Sequence, residues 1–142
     1  MFRTVVFAAA GLALSAGGAL ADGPSVEFGR HMSIVGGCHD CHTVGYAENA
    51  GKIDDNIALK GNPVGYAGPW GTNFARNLRI TVSTMSEDDW VAFAGSFQAG
   101  PPMPWFNVHE FTETEARSLY QYIKSLPGGL GDPAPTDQPP KG

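Results

Sequence analysis

Three stretches of this chain carry apolar residues at helical spacing, and they are separated by polar, Gly- and Pro-rich connections. The first predicted helix runs from about Ser25 to Gly36, with an imperfect apolar face of Val26, Gly29, Ile34 and Val35, and Gly36-Gly37 ends it. Gly29 is unusual there, because Gly costs about 1 kcal/mol relative to Ala inside a helix. Close approach of another helix at that point is the expected reason, with simple tolerance of the glycine as the alternative. The second helix starts at Ser86, which forms a capping-box-like pair with Asp89. Trp90, Val91, Phe93 and Ala94 give its apolar side, and Gly95 is its stop. The third has a full Thr112-x-x-Glu115 capping box, a Phe111–Ala116 staple, and Ala116, Leu119, Tyr120 and Ile123 at helical spacing before Pro127-Gly128. The pattern predicts an all-α domain of three main helices.

Between Gly45 and Thr84 the periodicity is lost, and Gly61, Pro63, Gly65, Gly68, Pro69 and Gly71 mark turns. So long an irregular stretch is uncommon in an ordinary compact domain. It fits a chain whose loops wrap something large and apolar. From Gly128 the sequence is Gly, Pro, Asp and Gln with almost nothing apolar, so residues 128–142 are expected to be disordered or extended on the surface.

The first residues read as an export signal. Arg3 is the positive start, Thr4 to Leu20 is the apolar stretch, and Ala19-Leu20-Ala21 is a small-x-small cleavage site that leaves Asp22 first. The expected organisation is a signal peptide over 1–21, one domain over 22–127 and the tail over 128–142. No other stretch is apolar enough to span a membrane, so none is expected after cleavage. Losing Met1–Ala21 removes one cation, Arg3, and no acid, so the formal charge goes from −5 to −6. Such an acidic chain lacks the basic patch that nucleic acid binding requires.

The candidate chemistry sits in Cys38-His39-Asp40-Cys41-His42, which holds the only two cysteines. Cys-x-x-Cys-His is a c-type haem attachment pattern. Two thiols three residues apart can add to the two vinyl groups of one haem, and the histidine directly after them can reach the iron. The rival readings are weaker. A thioredoxin-like pair wants a βαβ setting, a structural zinc site wants four ligands, and a disulfide here would close too small a loop to stabilise much. The expected cofactor is one haem c, covalent through Cys38 and Cys41, with His42 on the iron.

Met103 is the candidate for the sixth iron position. It lies in Gly100-Pro101-Pro102-Met103-Pro104-Trp105, too Pro-rich for helix or strand and stiff enough to hold a thioether in place. His/Met ligation is common in cytochromes c. Met85 competes, although a staple role beside the Ser86 cap accounts for it. Met32 is too near Cys38 to reach the opposite haem face and is expected to pack. His109 would give bis-His ligation but more simply lies in solvent, and His31 and His39 read as surface residues.

The Gly36–Thr43 segment, the late Met103-Pro104 and a last helix closing in Ser125-Leu126-Pro127 resemble a class I mono-haem cytochrome c over nearly the whole mature chain. Gly68-Pro69-Trp70-Gly71-Thr72-Asn73-Phe74-Ala75-Arg76-Asn77-Leu78 resembles cytochrome c subunits of bacterial membrane dehydrogenases. There an Asn-Leu-Thr-Pro-Asp run usually follows, whereas here Asn77-Leu78 continues as Arg79-Ile80-Thr81, and those subunits often carry three haems. The resemblance implies a first and last helix crossing near Gly29 and Tyr120. It implies a loop carbonyl, of Pro63 or Pro69, on the other nitrogen of His42, and haem propionates reached by Arg76, Asn77, Arg79 or Trp70. It also implies docking near Cys38–His42; Asp40, Glu48, Asp54 and Asp55 are acids in or after the motif, and the sequence does not show which face they occupy.

The functional expectation is a bacterial periplasmic electron carrier, not an enzyme, because filled axial sites leave no place for substrate chemistry. Its partners would be a redox donor and acceptor, such as a membrane or periplasmic dehydrogenase or oxidase. The alternatives are a non-catalytic haem subunit of such a complex, or a small-ligand-binding or peroxidase-like haem protein.

Overall fold

Helix α1 (Val26–Val35) starts where expected, with Ser25 Oγ accepting from the Phe28 amide at 3.1 Å and Gly36 as its C-cap. These details come from a computed structural model that describes residues 23–141, so the export-signal reading of Met1–Ala21 lies outside the described residues. A one-turn helix α2 (Cys38–His42) follows directly. Then come a hairpin of β1 (Gly65–Gly68) and β2 (Gly71–Phe74), a short α3 (Leu78–Ser83), α4 (Glu87–Ala94), a single turn α5 (Trp105–Val108), and α6 (Glu113–Ser125).

Both predicted capping boxes are present. Ser86 and Asp89 close α4, and Thr112 and Glu115 close α6. The core lies where α3, α4 and α6 meet and contains Leu59, Val82, Trp90, Ala94, Ala116, Leu119, Tyr122 and Ile123. Trp90 is buried with its one polar atom satisfied, since Nε1–H donates to the Ala116 carbonyl at 2.8 Å.

Helices α1 and α6 cross at Gly29. A Cβ on Gly29 would overlap the Ser118 carbonyl oxygen and come within 2.8 Å of Tyr122 Cβ. The predicted crossing partner, Tyr120, is therefore corrected to Ser118 and Tyr122. Those two lie one turn apart on one face, whereas Tyr120 points away and donates its hydroxyl to the Met85 carbonyl at 3.0 Å.

The result is a small helical fold, but all-α and three helices understate it. The hairpin pairs Gly65 with Phe74 and Gly68 with Gly71 around a Pro69-Trp70 turn. Four residues per strand, half of β1 glycine, are too short for alternation to show in the sequence. Helix α3 also falls inside the stretch where the apolar pattern predicts no element. Its marker is Asn77, whose side chain accepts from the Arg79 and Ile80 amides at 3.0 and 3.2 Å.

After Pro127 the chain is extended along the surface and held at several points. Asn77 Nδ2 donates to the Leu130 and Asp132 carbonyls, at 2.8 and 2.9 Å. Gln138 exchanges two backbone hydrogen bonds with Thr72, at 2.9 and 2.8 Å, beside the hairpin. Asp137 bonds the Phe74 amide at 2.9 Å and pairs with Arg76 at 2.6 Å. Beneath the start of this stretch, Arg79 is 3% exposed and spreads its guanidinium over the carbonyls of Asp55, Ala58, Pro127 and Gly129. A buried arginine is tolerable only when its donors are met, and here four carbonyls meet them.

Candidate functional site

Helix α2 is only five residues long and begins from Gly37 in the left-handed region (φ +70°), with no side-chain cap. Gly tolerates that conformation without strain, and the turn folds α2 back against α1. Successive helical residues rotate by about 100°. Cys38, Cys41 and His42 therefore share one side of the turn, while His39 and Asp40 face elsewhere. That side lines a cavity of about 700 Å³.

His42 is 7% exposed. Its Nδ1–H donates to the Arg76 carbonyl at 2.7 Å, which leaves Nε2 with its lone pair. Burial pushes its pKa down, so the ring is neutral. The Arg76 carbonyl is brought there by backbone contacts: the Gly61 amide donates to the His42 carbonyl at 2.9 Å and the Asn62 amide to the Ala75 carbonyl at 3.2 Å. Gly61 (φ +84°) lies so close to this segment that a Cβ would sit 2.7 Å from the Ala75 oxygen. Cys38 and Cys41 are free thiols, and burial pushes the Cys38 pKa up to about 11, so it stays protonated. Tyr66 of β1 lies beside Cys41, and that contact helps to push its pKa up to about 12.

Met103 reaches the same cavity from the other end of the chain. Its loop is tied by the Asn73 side chain, which donates to the Pro101 carbonyl at 2.5 Å, and by the Met103 amide, which donates to the Gly100 carbonyl at 3.3 Å. Trp90, Phe93, Phe97, Phe111 and Leu119 complete mainly apolar walls.

The arrangement fits a haem. The volume suits a cofactor pocket, which typically runs to about 300–1,000 Å³. The donors are two free thiols at the attachment spacing, a neutral imidazole with a bare Nε2 and a thioether. Among the described residues no group of three or more His, Cys, Asp or Glu is arranged to hold a bare metal ion. Over residues 27–127 the chain matches the family model for Cytochrome c. The chain belongs to the cytochrome c family. No curated protein and no solved structure matches it. Membership makes it a c-type cytochrome with covalent haem c and haem-based electron transfer, in a family whose members are generally carriers. No described helix is long and apolar enough to cross a membrane.

Several expectations for this cytochrome are corrected. The carbonyl on His42 Nδ1 belongs to Arg76, since Pro63 and Pro69 are both exposed. Of the residues assigned to the propionates, only Arg76 lines the cavity. Asn77 and Arg79 are committed to backbone groups, and Trp70 is at the hairpin turn donating to the Tyr66 carbonyl at 3.3 Å. His109 is not in solvent. It is half-buried between Trp105 and Phe97, and its Nε2–H donates to the Phe97 carbonyl at 2.8 Å, away from the cavity. His39 is not a surface residue either: it is fully buried. His31 is exposed, as expected. Met85 packs against the core outside the cavity, and Met32 lines the cavity on the Cys38 side. No motif marks Asn73, Tyr66 or Asp137: Asn73 and Asp137 act through the Pro101 carbonyl and the Phe74 amide, and the Tyr66 side chain through Cys41.

Proposed function

We propose that this protein is a periplasmic electron carrier of the class I mono-haem kind. Haem c is attached through Cys38 and Cys41, with His42 and Met103 as axial ligands, in a domain of residues 22–127 exported by a signal peptide over Met1–Ala21. The observation that carries this reading is the convergence of Cys38, Cys41, His42 and Met103 on one apolar cavity from segments about sixty residues apart. When bound, the haem supplies one-electron redox chemistry.

The chain's part is to bind, orient and exclude. Arg76 holds the His42 ring in the tautomer whose Nε2 is bare. Met103 offers a soft thioether, which raises the potential relative to a second histidine. Trp90, Phe93, Phe97 and Phe111 would give a bound haem a largely apolar surrounding. With both axial positions filled, nothing is left open for a substrate. Asp40, Glu48, Asp54 and Asp55 are all exposed, and the mature charge of −6 favours a partner with a basic patch.

The test is direct. Intact mass of the exported protein is expected to equal Asp22–Gly142 plus one haem that acidified organic solvent does not extract. Ferric protein is expected to show the weak near-infrared band of thioether ligation, lost in Met103→Ala and kept in Met85→Ala. Freely extracted haem defeats the attachment, and an unchanged Met103→Ala spectrum defeats the ligand assignment. A docked dehydrogenase or oxidase subunit is the second reading, favoured by the Gly68–Leu78 segment. It predicts co-purification with that enzyme.

A further inference from the structure

His39 occupies the first variable position of the attachment motif, on the side of α2 away from the cavity. Its ring is 0% exposed and stacks against Tyr46 with centroids 5.3 Å apart. Both ring nitrogens are engaged. Nε2 lies 3.0 Å from Ser33 Oγ on α1, and Nδ1 lies 2.8 Å from Thr43 Oγ1 at the end of α2.

The partners fix the tautomer. Ser33 has one hydroxyl proton, and it goes to the Arg30 carbonyl at 2.7 Å. Ser33 Oγ must therefore accept from His39, so Nε2 carries the proton. Nδ1 is then bare and accepts from the Thr43 hydroxyl. Thr43 Oγ1 in turn accepts from the Leu59 amide at 2.9 Å. Every proton in this buried chain has one place to go. It connects α1, α2 and the Leu59 loop through a single imidazole.

Helix α2 needs such a connection. One turn is below the length at which a helix is stable by itself, and α2 has no side-chain N-cap. Without an external clamp its rotation about its own axis is weakly set, and that rotation decides what Cys38, Cys41 and His42 face. We infer that His39 is a positioning residue of the cofactor site: its ring, gripped between Ser33 and Thr43, sets the roll of the Cys38–His42 turn so that both thiols and the His42 ring address one cavity. This rests on the haem reading above.

The experiment compares full-length wild type with His39→Phe, which keeps a ring and removes both hydrogen bonds, and His39→Gln, whose amide can restore the donation to Ser33. The first readout is the proton shifts of the haem methyls in the ferric protein, which report the plane of the axial imidazole and do not move with a mere loss of stability. The second is the share of chains joined to haem by both thioethers, read from the haemochrome absorption band. His39→Phe is expected to redistribute the methyl shifts and to cut the doubly attached share at least two-fold, with His39→Gln lying between it and wild type. A His39→Phe protein with the wild-type methyl pattern and full double attachment overturns the inference. If that variant yields no folded protein, Ser33→Ala and Thr43→Val remove one arm each, and wild-type patterns in both overturn it. Nitrogen-15 shifts of His39 test the clamp without reference to haem. They must show Nε2 protonated and Nδ1 bare, and the opposite tautomer overturns the proposal. Wild type that lacks covalent haem but shows the expected tautomer counts against the electron-carrier reading, not against the clamp.

Discussion

The two sides of the cavity are built differently. On the His42 side, His39, His42 and Thr43 are buried, and the turn that holds them is tied to α1, to Gly61 and to Arg76 by hydrogen bonds. On the Met103 side, residues 98–102 are exposed, Met103 itself is half-buried, and the loop hangs on Asn73, His109 and a turn of its own. Local opening is easiest where few buried contacts oppose it. The imidazole side is thus part of the fold, and the thioether side is a loop laid against it. With Met103 as the axial ligand proposed above, loss of a ligand would begin there.

The sharpest way to break this contrast is with glycines. Gly29→Val on the α1–α6 crossing drives a side chain into the Ser118 backbone and is expected to cost about 3 kcal/mol or more. Gly95→Ala, next to the Met103 loop, has φ −83° and its nearest neighbour 3.8 Å away, so it is expected to change stability by less than about 1 kcal/mol. Thermal or urea unfolding of both variants checks this, and similar losses would erase the distinction.

Acid comes next. Burial, with Arg30 adding to it and Asp40 and Asp55 opposing it, lowers the His39 pKa from 6.5 to about 4. Between those values the unfolded chain binds a proton that the folded chain refuses, so stability is present above pH 6.5 and is lost as pH falls towards 4. The expected loss over that window is at most about 3 kcal/mol. It should shrink in His39→Gln and persist in Met103→Ala, as measured by urea midpoints across pH. A pH-independent midpoint would mean that His39 titrates normally.

Asn73→Ala removes the side chain that holds the Pro101 carbonyl. It is expected to cost about 1 kcal/mol and to raise the rate at which cyanide enters the sixth position several-fold. An unchanged rate would place the restraint on Met103 elsewhere. Asp137→Asn is the smallest change. The Arg76–Asp137 pair is exposed, so its loss is expected to cost under about 0.5 kcal/mol, while hydrogen exchange at the Thr72 amide should quicken.

What could be read in the sequence was what depends on spacing. Both capping boxes, the attachment motif and the Gly29 crossing are local patterns with one physical meaning each. What could not be read depended on backbone atoms or on distant partners. The Arg76 carbonyl is chemically like any other, and only the pairing of 61–62 with 75–76 brings it to His42. His39 looked like a surface residue because polarity is a weak guide to burial when Ser33 and Thr43 can satisfy both nitrogens. Asn77 and Arg79 suit propionates by residue type, but the sequence does not reveal that carbonyls of the segment from Pro127 to Asp132 already use them.

The chain after Pro127 has a practical consequence. Gln138 lies along the hairpin, and Asp137 forms part of the cavity wall. An affinity tag, a fused enzyme or a tether to an electrode added at the C-terminus therefore starts only a few residues along the chain from the cavity wall. For wiring the protein to a conducting surface that is a favourable exit, because it brings the cavity close to the support. For purification it is an unfavourable one, because under the carrier role proposed above the same appendage stands beside the cavity that a redox partner would approach.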